Sequence, residues 1–210
     1  MRWLLFSLRR GTTTSNPILF RKNGETGNII HGRGGNDTII GNDYPDVITG
    51  DSGSDRIEGR GGNDILVGGA GADTLQGDGG NDFIHGGSEN DVLYGGSGSD
   101  TLYGATGNDS YRSYIADGGL DIVNDDKSEA GQPGYGGGLD HLWVRDVPLD
   151  ELWLVQDGDD LQVTDSSDVA DGYADNGILM EDFFLGGDNV IERLYGADGS
   201  IYFDLTLLIA

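Results

Sequence analysis

An acidic residue recurs every nine positions through the central part of the chain, and carboxylates repeated in this way could bind a row of metal ions. The residues at this interval are Asn28, Asp37, Asp46, Asp55, Asp64, Asp73, Asp82, Asp91, Asp100 and Asp109. Carboxylate and carbonyl oxygens are hard ligands that favour calcium, whereas a zinc site requires Cys or several His. The chain has no Cys and three His. The interval therefore predicts calcium sites.

These residues hold place six of a nine-residue unit that runs ten times without a break, from Asn23 to Arg112. Places one to five are rich in glycine and other small residues. Place eight is apolar in every unit: Ile30, Ile39, Ile48, Ile57, Leu66, Leu75, Ile84, Leu93, Leu102 and Tyr111. Side chains alternate between the two faces of a strand, so a strand at places seven to nine sends only place eight inward. One unit thus makes a turn and a three-residue strand, and two units make one coil.

Glycines at places one, two and four suit a turn with positive φ whose carbonyls point outward. Loops on the same edge of the coil are then two units apart, with Asp37, Asp55, Asp73, Asp91 and Asp109 on one edge and Asp46, Asp64, Asp82 and Asp100 on the other. An ion between each neighbouring pair gives up to seven ions. We expect four or five, because Tyr44 and Pro45 replace small residues in one loop, Glu89 replaces a glycine in another, and Asn28 has no charge.

The units over residues 59–67, 68–76, 95–103 and 104–112 closely resemble the RTX, or haemolysin-type, calcium-binding repeat, which folds as a parallel β-roll. The resemblance implies that one loop supplies the carbonyls of places two and four, the next loop those of places one and three, and both loops their aspartates. For the ion between Asp55 and Asp73 these carbonyls belong to Asp51, Gly53, Gly68 and Ala70. The other carbonyl ligands implied in this way are Gly35, Gly59, Gly61, Gly62, Gly71, Gly77, Gly79, Gly80, Gly86, Gly95, Ser97, Gly98 and Gly104.

The predicted fold is all-β, a parallel β-roll capped by a small C-terminal antiparallel β domain. We divide the chain into a basic N-terminal segment (residues 1–22), the roll (23–112), decayed repeats with a Gly-rich joint (113–145) and the cap (146–210). Residues 117–123 and 136–142 look like decayed units. The segments after residue 149 resemble the domain that commonly closes such rolls in secreted haemolysin-type proteins.

Local signals beyond the repeat predict individual elements. Asp157-Gly158 and Asp198-Gly199 each lie between apolar runs and predict two β-hairpins. Residues 125–138 read as a loop, and residues 178–184 as either a helix or a strand. The aromatic side chains of this region favour the core of the cap, with a sugar-stacking groove as the alternative: Trp143, Trp153, Phe183, Phe184, Tyr195 and Phe203.

Charge excludes several classes of partner. Five of the 12 basic residues and none of the 37 acidic residues precede Asn23, so residues 23–210 have a net charge of −30. Such a body does not attract nucleic acid or an anionic membrane by charge alone. Seven divalent ions would return 14 positive charges, so we expect a chain that is disordered without calcium and folded with it.

The resemblance also implies a route out of the cell. RTX proteins leave bacteria by type I secretion with an uncleaved C-terminal signal, and the acidic, aliphatic tail from Ile191 to Ala210 is compatible with one. The apolar run near Met1 spans six residues and lacks a small-residue cleavage site, so it does not predict a secretory signal peptide. No apolar stretch is long enough to span a membrane.

No catalytic motif of the metalloprotease, nucleophile-elbow or phosphate-loop type is present. His31 and His85 fall at place nine, where side chains are expected to face solvent. We therefore expect a secreted calcium-binding module that folds on extracellular calcium, supports type I export and stabilises or displays an attached domain. The alternative is the C-terminal part of a larger RTX effector, such as a protease, lipase, polysaccharide-modifying enzyme or cytolysin.

Overall fold

A computed structural model describes residues 4–7, 17–19, 26–124, 140–165, 177–180, 191–197 and 202–205 of the chain. These residues form two β-sheets and two single-turn 3-10 helices, at Ile115–Asp117 and Leu149–Glu151. They include no helix with the length and apolar character that crossing a membrane requires.

From β1 to β14, strands that are next but one in the chain lie side by side. The first sheet has the order β1 (Leu4–Ser7), β3 (Asn28–His31), β5 (Val47–Ser52), β7 (Ile65–Ala70), β9 (Phe83–Ser88), β11 (Thr101–Thr106), β13 (Leu120–Asn124), β17 (Gly177–Met180), β16 (Asp160–Thr164) and β15 (Trp153–Asp157). The second sheet has the order β19 (Tyr202–Asp204), β18 (Ile191–Tyr195), β14 (Asp140–Val144), β12 (Ser110–Ser113), β10 (Val92–Ser97), β8 (Thr74–Gly79), β6 (Arg56–Gly61), β4 (Thr38–Ile40) and β2 (Pro17–Leu19).

The register of these strands confirms that two units make one coil. Leu66 pairs in parallel with Ile84, and Ile57 with Leu75, so neighbours in each sheet are two units apart. Successive units alternate between the two sheets, which gives a flattened solenoid. The predicted all-β parallel β-roll is therefore the observed fold.

The core is a single column of side chains between the sheets, and it consists of the place-eight residues. From Ile30 to Tyr111 each of them is 0–1% exposed. Along β7 the exposed fraction changes from 44% at Ile65 to 0% at Leu66, because neighbouring side chains in a strand point to opposite faces. The sequence prediction of the core is confirmed.

The strands are longer than the repeat predicted. Each strand from β5 to β11 has six residues and runs from place seven through place three of the next unit. The extra residues pair across the coils, as Gly69 does with Gly87 and Ala70 with Ser88. The prediction of three-residue strands was wrong, because loops stacked in register continue the main-chain ladder beyond the apolar positions.

The C-terminal half continues both sheets and then reverses direction. The decayed units supply β13 and β14, which pair in parallel with β11 and β12. Both hairpins are confirmed, since β15 is antiparallel to β16 and β18 to β19. Residues 177–180 form a strand, β17, while residues 181–184 and the loop predicted at 125–138 lie outside the described residues.

The described core of this half is aliphatic, so the expectation of an aromatic core was wrong for Trp143, Trp153 and Tyr195. Trp153 is 50% exposed, and Trp143 stacks on Tyr195 with 4.0 Å between ring centroids, both only half-buried. The buried side chains are Leu142, Val144, Leu161, Val163, Ile178, Met180, Ile191, Leu194 and Leu205. Phe183 and Phe184 lie outside the described residues, as does the side chain of Phe203.

Candidate metal centre

The aspartates at place six form two buried rows, one along each edge of the roll. Asp46, Asp55, Asp64, Asp73, Asp82, Asp91, Asp100 and Asp109 are each 1–3% exposed, and Asp37 is half-buried. Successive members of a row are two units apart, at the end of the loop that precedes each strand. Stacking of the coils thus brings together carboxylates that are distant in the chain.

From Asp55 to Asp109, one oxygen of each carboxylate is held by the coil before it. The backbone N–H of the preceding aspartate in the row donates to Oδ1. These hydrogen bonds measure 2.7–2.8 Å and reach Asp55 from Asp37, Asp64 from Asp46, Asp73 from Asp55, Asp82 from Asp64, Asp91 from Asp73, Asp100 from Asp82 and Asp109 from Asp91. A carboxylate fixed by a main-chain donor has little freedom to turn, so the position of its second oxygen is determined.

That second oxygen, Oδ2, is buried without a hydrogen-bond partner in eight of the nine aspartates. They are Asp37, Asp55, Asp64, Asp73, Asp82, Asp91, Asp100 and Asp109. A buried charged oxygen without a partner is costly, because burial removes its water and nothing replaces that water. Eight repeats of the same unsatisfied atom indicate a shared missing partner of positive charge.

The space beside each Oδ2 is defined by the glycine at place one. A Cβ built on Gly68 would overlap Oδ2 of Asp73 and lie 2.6 Å from the carbonyl oxygen of Gly86 in the next coil. The equivalent carbonyl distances at Gly41, Gly50, Gly59, Gly77 and Gly86 are 2.6–3.0 Å. A carboxylate oxygen and a carbonyl oxygen therefore converge on a point from which side chains are excluded.

The glycine at place one is thus required for space, not for its φ. The prediction of positive φ at places one, two and four holds for places two and four, where Asp51 and Asp78 adopt it as well as glycines. It was wrong for place one. In addition, Glu89 adopts φ 77° at place four, so its loop keeps the common shape despite the substitution.

The loops are packed too closely for side chains at place four. A Cβ on Gly53 would overlap the carbonyl oxygen of Gly35 in the preceding coil, and the same relation joins Gly71 to Gly53, Gly80 to Gly62 and Gly98 to Gly80. The place-four carbonyls of these loops hence face the next loop. By contrast, the place-three carbonyls of Ala70, Gly79 and Ser97 each accept a backbone N–H from the coil before, at 2.7–2.9 Å.

The carbonyl groups implied by the resemblance therefore fall into three sets, according to what each carbonyl oxygen faces. Those of Gly59, Gly68, Gly77, Gly86, Gly95 and Gly104 lie beside place-six carboxylates. Those of Gly35, Asp51, Gly53, Gly62, Gly80 and Gly98 face the next loop. Those of Ala70, Gly79 and Ser97 already accept a hydrogen bond.

The loop of residues 41–45 differs from the others. The backbone N–H of Asn42 donates a hydrogen bond of 2.8 Å to Oδ2 of Asp46, and the backbone N–H of Tyr44 donates to the Asn42 side-chain oxygen. Neither Asn42 nor Tyr44 has positive φ. The loop thus satisfies its carboxylate with a main-chain donor.

Two ligand-like aspartates beyond the strict repeat were missed as site residues. Asp121 Oδ1 accepts the N–H of Asp100 at 3.1 Å, and Asp140 Oδ1 accepts that of Asp109 at 2.6 Å, so each extends a row by one coil. The decayed units around them carried the signal, since each has an aspartate after glycines. Their separation from the preceding aspartate of the row exceeds two units, and this irregular interval hid the relation.

Hydroxyl groups lie at the C-terminal end of both rows. Ser113 donates its hydroxyl to Oδ2 of Asp121 at 2.6 Å. The hydroxyl of Tyr111 accepts the N–H of Gly104 at 2.7 Å and lies beside Oδ2 of Asp109, where other units have a carbonyl oxygen. The positions at this end therefore differ chemically from those inside the rows.

Burial makes the rows electrostatically unfavourable without a cation. Together with neighbouring acidic side chains, Asp82 and Asp109 first among them, it raises the pKa of Asp64 and Asp91 to about 8. It raises the pKa of other members to about 6, namely Asp55, Asp73, Asp82 and Asp109. The backbone N–H bonds act in the opposite direction without offsetting burial.

The donor set fits calcium. Among the described residues, no three His, Cys, Asp or Glu side chains gather into one metal site, so an ion here depends on main-chain carbonyls together with the place-six carboxylates. Carbonyl and carboxylate oxygens in flexible number are the ligands that calcium prefers. When bound, the ion supplies the positive charge that the buried carboxylates lack.

The comparisons with known proteins agree with this chemistry. The family model of the RTX calcium-binding nonapeptide repeat matches the chain in four copies, over residues 23–43, 31–66, 40–75 and 76–111. No curated protein matches the chain. Residues 23–111, which contain the two rows of buried aspartates, thus carry RTX calcium-binding nonapeptide repeats.

Proposed function

We propose that the chain is a secreted calcium-binding module whose β-roll folds when it meets extracellular calcium. In this proposal folding outside the cell supports type I export and stabilises or displays an attached domain. The observation that carries the proposal is the eightfold repetition of a buried carboxylate oxygen without a hydrogen-bond partner. Such rows resist folding until a cation reaches them.

The ligands we assign are the place-six aspartates together with carbonyls of the facing loops. The best-supported positions lie inside the rows, at Asp55, Asp64, Asp73, Asp82 and Asp91, where Oδ2 and the carbonyl of the next coil converge. Asp46 is a weaker ligand, because Oδ2 already accepts an N–H. The proposed number of well-formed sites is four or five, among as many as seven positions.

The free energy of calcium binding supports a switch between compartments. Extracellular calcium modules bind with dissociation constants of roughly 10⁻⁴ to 10⁻³ M. At a free concentration tenfold higher, each ion contributes about 1.4 kcal/mol, so seven contribute about 10 kcal/mol, comparable to the stability of a whole domain. In the cytosol, where free calcium is far lower, this contribution disappears.

The test is a calcium titration of the chelator-treated chain, followed by far-UV circular dichroism. We expect a cooperative transition from coil to β-structure that magnesium does not reproduce, because magnesium requires a stricter octahedral shell and keeps its waters. A chain that shows the same β-structure in chelator as in calcium would contradict the proposal.

Export is tested separately, with the chain fused to a reporter in bacteria that carry a type I secretion system. We expect the reporter in the medium, and its loss when residues 191–210 are removed. Retention of export without these residues would remove the proposed signal but leave calcium-driven folding untouched. The same folding would serve if this chain were the C-terminal part of a larger effector.

A further inference from the structure

The basic residues of the roll are distributed unequally between its two faces. In the first sheet the outward positions at places seven and nine from β3 to β11, and the positions of β13 that pair with them, carry no charged side chain: Ile29, His31, Val47, Thr49, Ile65, Val67, Phe83, His85, Thr101, Tyr103, Ile122 and Asn124, with His taken as neutral. In the second sheet Arg56, Arg112 and Arg193 occupy outward positions on β6, β12 and β18. Only seven basic residues follow Asn23 in the chain, so this concentration on one face is notable.

Two of these arginines line one open cleft of about 500 Å³ on the outer face of the second sheet. Its principal lining residues are Arg56, Gln76, Asp78, Tyr94, Arg112 and Tyr114. Gln76, Tyr94 and Arg112 are direct neighbours across β8, β10 and β12, so the floor of the cleft is a regular sheet. A site on paired strands is held rigidly in place.

The guanidinium of Arg112 is positioned but not neutralised. It donates through Nη1 to the hydroxyl of Tyr94 and lies over the Tyr94 ring, 5.0 Å from the centroid. Its Nε is buried and has no hydrogen-bond partner among the described residues. Within the part of the chain that the structure describes, neither Arg56 nor Arg112 pairs with a carboxylate, although the chain has 37 acidic residues.

The remaining lining residues restrict the class of ligand. Two unpaired guanidinium groups select an anion, and their planar fork suits a carboxylate or a phosphate. Asp78 accepts a hydrogen bond from Gln76, and a carboxylate accepts only, so a ligand beside it must also donate. Hydroxyl groups donate, whereas the backbone phosphates of nucleic acids only accept. Tyr114 is 41% exposed and offers a ring face for stacking.

We infer that this cleft binds a carboxylated oligosaccharide. Its carboxylates pair with Arg112 and Arg56, its hydroxyls donate to Asp78, and a sugar ring packs on Tyr114. Arg56 and Arg112 lie three strand intervals apart and two residues out of register along the strands, about 16 Å between their backbones, which exceeds one sugar ring. The ligand that engages both arginines is hence an oligomer. This site is separate from the rows of aspartates at the edges of the roll.

The test is binding of trigalacturonate to the calcium-saturated chain, measured by isothermal titration calorimetry. Protein and ligand solutions are brought to the same free calcium concentration, because uronates also bind calcium. We expect Arg112→Gln and Arg56→Gln each to weaken binding about tenfold or more, the usual loss for a charged hydrogen bond. Arg145→Gln is the matched control, since Arg145 is exposed directly after β14 of the same sheet and outside the cleft. It should change affinity by less than about twofold.

Three outcomes would overturn the inference. Equal losses in Arg145→Gln and Arg112→Gln would indicate attraction by charge alone. Equal binding of neutral maltotriose would remove the role of the carboxylates, and tighter binding of an oligothymidylate would make the cleft a nucleic-acid site. A calcium midpoint in circular dichroism equal to that of the unchanged chain shows that a variant is folded. If Arg112→Gln perturbs packing, Arg56→Gln still tests the inference, because Arg56 is exposed.

Discussion

The backbone N–H of Asp73 donates to Oδ1 of Asp91 at 2.8 Å, while Oδ2 of Asp91 is buried with no hydrogen-bond partner. The two oxygens of one carboxylate therefore have different roles. One joins adjacent coils through the main chain, and the other is left for a cation. Because the same division recurs along both rows, each aspartate is both a structural element of the roll and a candidate ligand.

This division predicts opposite effects of the same substitution at two positions in one row. Asp64→Asn keeps an acceptor for the N–H of Asp46 but removes a buried charge, so it should stabilise the metal-free roll and lose one ion. Asp46→Asn places an amide against the N–H of Asn42, so it should destabilise the metal-free roll. We expect Asp64→Asn to destabilise the calcium-loaded fold by about 1–2 kcal/mol.

Urea unfolding with and without calcium measures both effects, and native mass spectrometry counts the ions. A stabilising agent such as trimethylamine N-oxide populates the metal-free roll. If both variants bind as many ions as the unchanged chain, the residues at place six do not supply the ligands.

The close contacts of the glycine at place one predict that substituting it removes a calcium site. Gly68→Ala would put a methyl group on Oδ2 of Asp73 and 2.6 Å from the carbonyl of Gly86, so it should abolish one calcium site. Gly61→Ala is the matched control, because its Cβ would lie 3.5 Å or more from its neighbours and Gly61 has no positive φ. Calorimetric titration should find one ion fewer in Gly68→Ala alone. A full complement of ions in Gly68→Ala would place the cation elsewhere.

The raised pKa values predict how the metal-free chain responds to pH. A carboxyl group whose pKa is higher in the folded state than in the unfolded state binds protons on folding. Its favourable contribution is complete below the unfolded pKa of about 3.8 and is lost as pH rises through the folded values, about 6 for Asp73 and about 8 for Asp91. In chelator, β-structure should therefore increase as pH falls from 8.5 to 5.

Calcium must displace those protons, so its midpoint should rise over the same fall in pH. Calorimetry in two buffers of different ionisation enthalpy measures the protons released on binding. General charge repulsion is separated by repeating the series in 0.5 M salt, which screens exposed charges much more than buried ones. A proton release of zero at pH 7 would contradict the raised pKa values.

The alternation of burial along β7 predicts a sharp contrast between adjacent residues. Leu66→Ala empties space in a core column that is 0% exposed and should destabilise the calcium-loaded roll by about 2–5 kcal/mol. Ile65→Ala alters a side chain that is 44% exposed and should cost less than about 1 kcal/mol. Urea unfolding in saturating calcium distinguishes them. Equal decreases in the free energy of unfolding for the two variants would mean that the outer face of the first sheet is covered.

Much of the roll follows from local pattern. The place-eight column predicted the core from Ile30 to Tyr111, since alternation within a strand is a property of adjacent residues. The hairpins around Asp157-Gly158 and Asp198-Gly199 were predicted from another local signal, an Asp-Gly turn between two apolar runs. The six-residue strands were not, because their second halves consist of glycines and small residues that pair only when another coil lies beside them.

The sequence by itself determined the period, the inward column and the oxygen chemistry of the site, because each depends on residue type and spacing within one unit. Only the tertiary structure decided which oxygen of Asp73 meets a main-chain donor and which faces the space beside Gly68. It also decided that Asp121 and Asp140 continue the rows. Contacts between coils depend on how loops two or more units apart stack on one another, and no interval within a single unit specifies that geometry.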